Sequence, residues 1–348
     1  MSIYSKLVRK HLLDLKPYSS ARDEYSGKEG IFLDANENPY GSVAGDELNR
    51  YPDPYQWEIK NKLAGLRKTK AQNIFLGNGS DEAIDLLIKS LCEPGLDNMI
   101  ILPPTYGMYQ VCADIQQIEV RKSNLDSTFQ PRLEDIESKI DSQTKIIWVC
   151  SPNNPSGNVI KRELIESLLT KYSDVIIVVD EAYIDFTGEP SFTESLDKYE
   201  NLVVMQTFSK AWGMAGLRVG MAFAHEDLIA IMNKIKYPYN LNIQSQRIVL
   251  EALNKVTKKE EYVKAILSEK KALESGLEKL SMVKHIYPSD SNQLLVKFEK
   301  AHEVFKFLMN KKIIVRDRSN VVLCDDCLRI TIGTHEENQA LLEKLAQF

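Results

Sequence analysis

Five consecutive β-branched residues, Val175-Ile176-Ile177-Val178-Val179, run straight into Asp180. Successive side chains on a strand point to opposite faces, so a strand apolar at every position must be covered on both. That requirement excludes a sheet with one face in water. Related runs occur at Ile74–Gly77, Met99–Leu102, Lys145–Cys150, Leu202–Thr207 and Val219–Ala224, and amphipathic stretches at Asp81–Leu91, Arg162–Tyr172 and His225–Lys236 read as helices. Buried strands alternating with helices predict a three-layer α/β/α domain on a mainly parallel sheet. After about residue 240 the texture changes. Helical patterns cover Ile243–Lys255 and Glu260–Leu280, and shorter strands are expected at Gln293–Phe298, Ile313–Val315 and Leu328–Ile332. This reads as a smaller α+β domain. The expected division is an N-terminal segment over 1–45, a large domain over 46–240 and a small C-terminal domain over 241–348. The first residues read as a short amphipathic helix with Leu7, Leu12, Leu13 and Leu15 as its apolar positions.

Composition narrows the function classes. A net charge of −5 spread over 348 residues gives no reason to expect nucleic acid or an anionic membrane as partner. No apolar run approaches the roughly 20 residues of a membrane helix, and the charged N-terminus lacks a signal-peptide core, so a cytoplasmic location is expected. The cysteines Cys92, Cys112, Cys150, Cys324 and Cys327 are odd in number and widely spaced, which argues against a disulfide framework. Cys324 and Cys327 form a lone C-x-x-C around two carboxylates, a poor setting for a thiolate or zinc. The five histidines show no ligand spacing, so no metal is expected.

Four polar features stand at strand ends, where open α/β sheets bind ligands. Gly77-Asn78-Gly79-Ser80-Asp81-Glu82 opens a helix; its amides suit a phosphate, and Ser80 or Asp81 would equally cap any helix. Ser151-Pro152-Asn153-Asn154-Pro155-Ser156-Gly157 forms an irregular loop in which Asn154 can offer an amide, or it is an ordinary turn. Asp180 ends the most apolar strand; a buried carboxylate needs a partner, and a protonated heterocycle would serve. Thr207-Phe208-Ser209-Lys210 through Arg218 brings two hydroxyls, a lysine and an arginine together among small residues. A lysine in a poorly solvated, cation-rich pocket becomes a nucleophile toward carbonyls. Taken singly each feature has a bland explanation. Taken together, a phosphate cradle, an amide donor, a buried carboxylate and a nucleophilic lysine match what pyridoxal 5'-phosphate requires.

These residues resemble those of the fold-type I aminotransferases of the aspartate aminotransferase superfamily. Within it, the chain is similar to the histidinol-phosphate aminotransferase branch. The resemblance runs from Leu15–Arg22 through Leu33–Gly41, Arg50-Tyr51-Pro52-Asp53, the glycine loop, Pro104-Thr105-Tyr106-Gly107, the Asn154 loop, Asp180-Glu181-Ala182-Tyr183 and the Lys210 segment to Cys327–Thr334. It implies pyridoxal 5'-phosphate as cofactor, and histidinol phosphate with glutamate or 2-oxoglutarate as substrates. By the same resemblance Lys210 condenses with the cofactor aldehyde and moves the proton. Asp180 pairs with the ring nitrogen, Asn154 and Tyr183 donate to the phenolic oxygen, and Tyr106 stacks on the ring. Gly79, Ser80, Asp81, Thr207, Ser209 and Arg218 surround the phosphate. Tyr51 reaches the cofactor of a partner subunit in a homodimer. Arg329 grips the substrate anion, helped by Arg316 and Tyr18, and Asn154 also faces the substrate. Other amino donors, or a decarboxylase on the same scaffold, would share the cofactor residues and differ at the substrate.

Overall fold

The computed structural model describes residues 3–18, 30–45 and 48–348. Ser19 to Arg22, the end of the first resembling segment, lie outside the described residues. The strands are β1 (Ile74–Asn78), β2 (Asn98–Ile101), β3 (Glu119–Lys122), β4 (Thr144–Cys150), β5 (Ile176–Asp180), β6 (Leu202–Thr207), β7 (Val219–Phe223), β8 (Val283–Ile286), β9 (Gln293–Phe298), β10 (Arg316–Asp317) and β11 (Cys327–Thr331). The helices are α1 (Tyr4–Leu7), α2 (Lys10–Leu13), α3 (Trp57–Arg67), α4 (Ser80–Leu91), α5 (Met108–Ile115), α6 (Leu133–Glu137), α7 (Arg162–Lys171), α8 (Glu226–Ile235), α9 (Ile243–Ala252), α10 (Val256–Leu277), α11 (Ala301–Asn310) and α12 (His335–Leu345).

The first seven strands form one sheet in the order β1-β7-β6-β5-β4-β2-β3. It is parallel except at β7, which runs antiparallel to both β1 and β6. The two-sided burial expected of β5 is met: all five of its residues are buried. Ile177 and Val179 join a core on one side of the sheet, with Ile165, Leu168 and Leu169 of α7. Ile176 and Val178 face the other side, with Trp148 of β4, Tyr109 of α5 and the apolar face of α4. The last four strands form an antiparallel sheet in the order β10-β11-β9-β8. Leu294, Val296, Leu328 and Ile330 on one face of this second sheet enclose their own core with α10, α11 and α12. Leu295 and Cys327, on the opposite face, join the core of the large sheet instead. The small sheet therefore packs part of its second face against the large sheet's core. Leu241, Val249 and Leu253, in and around α9, also belong to the large sheet's core.

Three expectations shift. The N-terminal helix is two short helices, because the chain extends at Val8 so that the Arg9 amide can donate to the Ser90 carbonyl at 2.9 Å. Leu7 and Leu12 are buried as expected, while Leu13 and Leu15 are exposed. The strand expected at Ile313–Val315 lies instead at Arg316–Asp317. The Ile313 amide donates to the Leu308 carbonyl and closes α11, so pairing with β11 starts three residues later. Strands β3 and β8 were not foreseen; both are edge strands without a fully buried residue, so they carry no run of apolar positions.

The approach of α4 to β7 depends on Gly220. A Cβ there would overlap the backbone of Ser80. Gly220→Ala should therefore push the start of α4 off the sheet and cost at least about 1–3 kcal/mol. Urea denaturation measures this; an unchanged midpoint would show that α4 accommodates the methyl group.

Candidate active site

Strands β4, β5 and β6 end side by side, and the residues that follow them open into one cavity. Its volume is about 790 Å³. Ser80, Asp81, Tyr106, Asn154, Asp180 and Tyr183 line it, together with Thr207, Ser209, Lys210, Arg218, Arg316 and Arg329. Twelve of the fifteen residues singled out in the sequence thus meet in one place. Gly79 adjoins the cavity without lining it. Tyr51 and Tyr18 lie elsewhere: the Tyr51 ring stacks on Tyr239 at 4.4 Å, and Tyr18 sits exposed in a separate groove with Pro17 and Lys234.

Asp180 takes its environment from strand alternation. It is paired in register with Cys150, two residues beyond the Trp148–Val178 pair, so it shares a face with Trp148. Tyr109 stacks on Trp148 at 4.6 Å and its hydroxyl donates to Asp180 Oδ2 at 2.6 Å. The Ala182 amide donates to Oδ1 at 3.1 Å. Burial pushes the Asp180 carboxyl above the usual carboxylate range, although both hydrogen bonds favour the charged form. Tyr109 was missed in the sequence. The signal was its place three residues after Tyr106 at the start of a helix, one turn along the same face.

Lys210 follows β6, with its Nζ 5.4 Å from the centre of the Tyr183 ring. Burial, and then the Arg329 guanidinium, hold its ammonium below the ordinary lysine range, so the neutral amine is more available. Tyr183 is buried, and that burial raises its phenol, keeping the hydroxyl protonated as a donor. Arg329 Nη1 donates to Asn154 Oδ1 at 2.7 Å. The contact fixes the Asn154 amide so that its NH2 is the group left to donate.

A second polar cluster surrounds the start of α4. Gly79 precedes the helix at φ +78° without a side-chain cap. Arg218 Nη2 donates to Asp81 Oδ2 at 3.2 Å, and the Tyr106 hydroxyl to Asp81 Oδ1 at 3.0 Å. Ser209 and Thr207 are linked through their hydroxyls at 2.9 Å. A Cβ on Gly79 would stand 2.7 Å from Arg218 Nη2. Uncapped amides, two hydroxyls and a guanidinium make an anion cradle, and the positive φ at Gly79 favours glycine at its edge.

The donor set fits pyridoxal 5'-phosphate. The cradle suits the phosphate, Asp180 the ring nitrogen, Asn154 and Tyr183 the phenolic oxygen, and Lys210 the aldehyde. Away from the cavity, Glu37 accepts from Arg50 at 2.6 Å and from the Tyr51 amide at 2.7 Å, tying two of the resembling segments together beside Tyr51.

The chain is similar to known proteins over nearly its whole length. A family profile described as aminotransferase class I and II matches residues 27–345. The chain is 50% identical over 349 residues to a histidinol-phosphate aminotransferase of Bacteroides thetaiotaomicron, spanning 100% of this chain and 99% of the relative. The crystal structure of the histidinol-phosphate aminotransferase from Clostridium acetobutylicum superposes with a TM-score of 0.80 at 27% identity, covering 86% of this chain and 90% of that one. The Sinorhizobium meliloti histidinol-phosphate aminotransferase, solved in complex with pyridoxal-5'-phosphate, shares the fold at a TM-score of 0.79 and 19% identity, covering 97% and 98%.

The raised Asp180 carboxyl has a consequence for the cofactor-free protein. Between its unfolded value near 4 and its higher folded value, the folded state binds the extra proton, so stability falls as pH rises through that window. Asp180→Asn removes this dependence. Relative to wild type, the variant should gain stability between pH 4 and pH 8 by about 1.4 kcal/mol per unit that the carboxyl is raised, on top of any constant offset from altered hydrogen bonds. Urea titrations of cofactor-free protein across that range measure the difference; parallel curves would show that Asp180 titrates normally.

Proposed function

The chain belongs to the class I and II aminotransferases, and within that family we propose that it moves an amino group between L-histidinol phosphate and 2-oxoglutarate. The products are imidazole acetol phosphate and L-glutamate, and the step serves L-histidine biosynthesis. The observation that carries this reading is the pair Arg316 and Arg329. They stand opposite one another in the β10–β11 register and line the same cavity as Lys210. A guanidinium binds carboxylate or phosphate through a planar fork, so one wall can receive both partners of a two-stage exchange.

The cofactor in this reading is pyridoxal 5'-phosphate, which supplies an aldehyde that condenses with amines and a protonated ring that accepts the electron pair of a broken C–H bond. Asp180, backed by Tyr109, keeps the ring nitrogen protonated. Gly79, Ser80, Asp81, Thr207, Ser209 and Arg218 would hold the phosphate, and Tyr106 would flank the ring. Asn154 and Tyr183 donate to the phenolic oxygen. Lys210, with its amine free at lower pH than an ordinary lysine, would be the nucleophile toward the aldehyde and the group that moves the proton. Tyr18 is assigned to the substrate on resemblance alone.

The same reading makes the enzyme a homodimer. Tyr51 does not line the cavity of its own chain, and it is half exposed beside Tyr239. We assign it to the neighbouring subunit's cofactor phosphate. The division into 1–45, 46–240 and 241–348 goes with this proposal, as does a cytoplasmic setting, which suits five buried free thiols. Among the described residues no helix is long and apolar enough to cross a membrane.

The substrate is tested by titrating the purified holoenzyme with histidinol phosphate, histidinol, phenylalanine and aspartate while following the cofactor absorbance. The phosphate ester should convert the cofactor most efficiently, and Arg329→Gln should lower its specificity constant by at least about tenfold. Equal handling of ester and alcohol, or a preference for phenylalanine, would overturn the assignment.

Subunit exchange tests Tyr51. Mixing inactive Lys210→Ala with impaired Tyr51→Phe should restore part of the activity, because one site of the mixed dimer holds both residues intact. Absence of recovery after verified exchange would place Tyr51 outside the partner's site.

A further inference from the structure

A third arginine stands on the same wall. Arg318 lines the cavity with Arg316 and Arg329, two residues past Arg316, which the sequence singled out. The Arg318 amide donates to the Cys327 carbonyl at 2.9 Å, which carries the β10–β11 ladder one step past Asp317. Alternation then sets Arg316 and Arg318 on one face and Asp317 on the other, where His302 Nδ1 lies 2.9 Å from Oδ2 of Asp317. The nearest carboxylate in sequence is therefore turned away from the two guanidinium groups.

The wall is short of negative charge. Arg318 Nε and Arg329 Nε are both buried without a hydrogen-bond partner among the described residues. Burial disfavours the charged form of Arg318, and after burial the strongest influences on it are the repulsive charges of Arg329 and Arg316. Arg218, which also lines the cavity, is already engaged by Asp81. Three guanidinium groups side by side, two of them with buried, unsatisfied N–H groups, form a receptor for an anion of more than one charge.

We propose that Arg318 is a specificity-determining residue that reads the dianionic phosphate ester and contributes little to binding of the dicarboxylate partner. This rests on the aminotransferase reading above and names the group that separates its two substrates at the shared wall. The two forks of Arg316 and Arg329 saturate the two oxygens of a carboxylate. A phosphate monoester presents three acceptor oxygens and between about 1.5 and 2 negative charges near neutral pH. Its third oxygen and second charge are what a third guanidinium can use.

The test measures each half-reaction separately with the holoenzyme, through the change in cofactor absorbance. Arg318→Gln should lower kcat/KM for histidinol phosphate by at least about tenfold, while that for glutamate stays within about threefold. Inhibition by inorganic phosphate, measured against glutamate, should weaken by about the same tenfold factor. Arg318→Lys should recover part of the loss. Equal losses in both half-reactions, or an unchanged phosphate-ester half-reaction, would overturn the proposal. If Arg318→Gln fails to hold the cofactor or melts early, Arg318→Met, which keeps the packed stem, takes its place in the same comparison. The two readings fail differently. Wild-type enzyme that ignores the phosphate of the ester defeats the substrate assignment, whereas inorganic phosphate inhibition that is indifferent to Arg318 defeats this one.

Discussion

The hydrogen bond from Tyr109 to Asp180 joins the packing of this protein to its chemistry. The central strands are buried on both faces, so their interiors admit only apolar side chains, and polar groups are confined to their ends. Asp180 is the last residue of β5 and still lies within the core. It is tolerable there because Tyr109, itself held by stacking on Trp148, and the Ala182 amide satisfy its oxygens. Burial still raises the carboxyl, because these hydrogen bonds and the weaker attraction of Lys210 offset only part of the desolvation, so a cationic ligand group would be favoured beside it.

The opposite imbalance appears a short distance away. Lys210, Arg316, Arg318 and Arg329 line the cavity, and the carboxylates among its lining residues are Asp180 and Asp81. Asp81 is taken by Arg218 and Tyr106. Burial and then the positive charge of Arg329 lower the lysine, and the excess of positive charge draws anions. One residue contributes to both, since the Arg329 guanidinium that lines the cavity also disfavours the ammonium of Lys210.

The two sheets are tied at the Asn154 loop. The Asp290 amide donates to the Gly157 carbonyl at 2.8 Å, and Asp290 Oδ2 accepts from the Val159 amide at 2.8 Å. A Cβ on Gly157 would press on Ser289, so glycine permits this close approach. Arg329 closes the same junction from β11 through Asn154. Arg329 and Asn154 are therefore mechanically one unit, and a shift of the small sheet against the large one would disturb the Asn154 amide.

Much of this was legible in the chain. Uninterrupted β-branched runs imply a sheet covered on both sides, and the residues at their ends, from Ser80 to Arg218, converge as strand-end geometry requires. These inferences are local, because a strand's burial pattern and a helix start are written in neighbouring residues. What neighbouring residues do not specify is which faces meet. Tyr109 finds Asp180 because β4 lies beside β5 and α5 covers that side of the sheet. Arg318 joins Arg316 and Arg329 because pairing with β11 begins at Arg316, after the Ile313 amide has closed α11. The N-terminal helix divides because Arg9 is bound at the end of α4. Edge strands β3 and β8 owe their conformation to a paired neighbour, since they bury too little of their own surface to announce it. The α/β layers and the chemistry available at the strand ends are written along the chain. Which charges stand unpaired together is settled by folding, because charge balance in a cavity depends on groups brought in from distant parts of the chain.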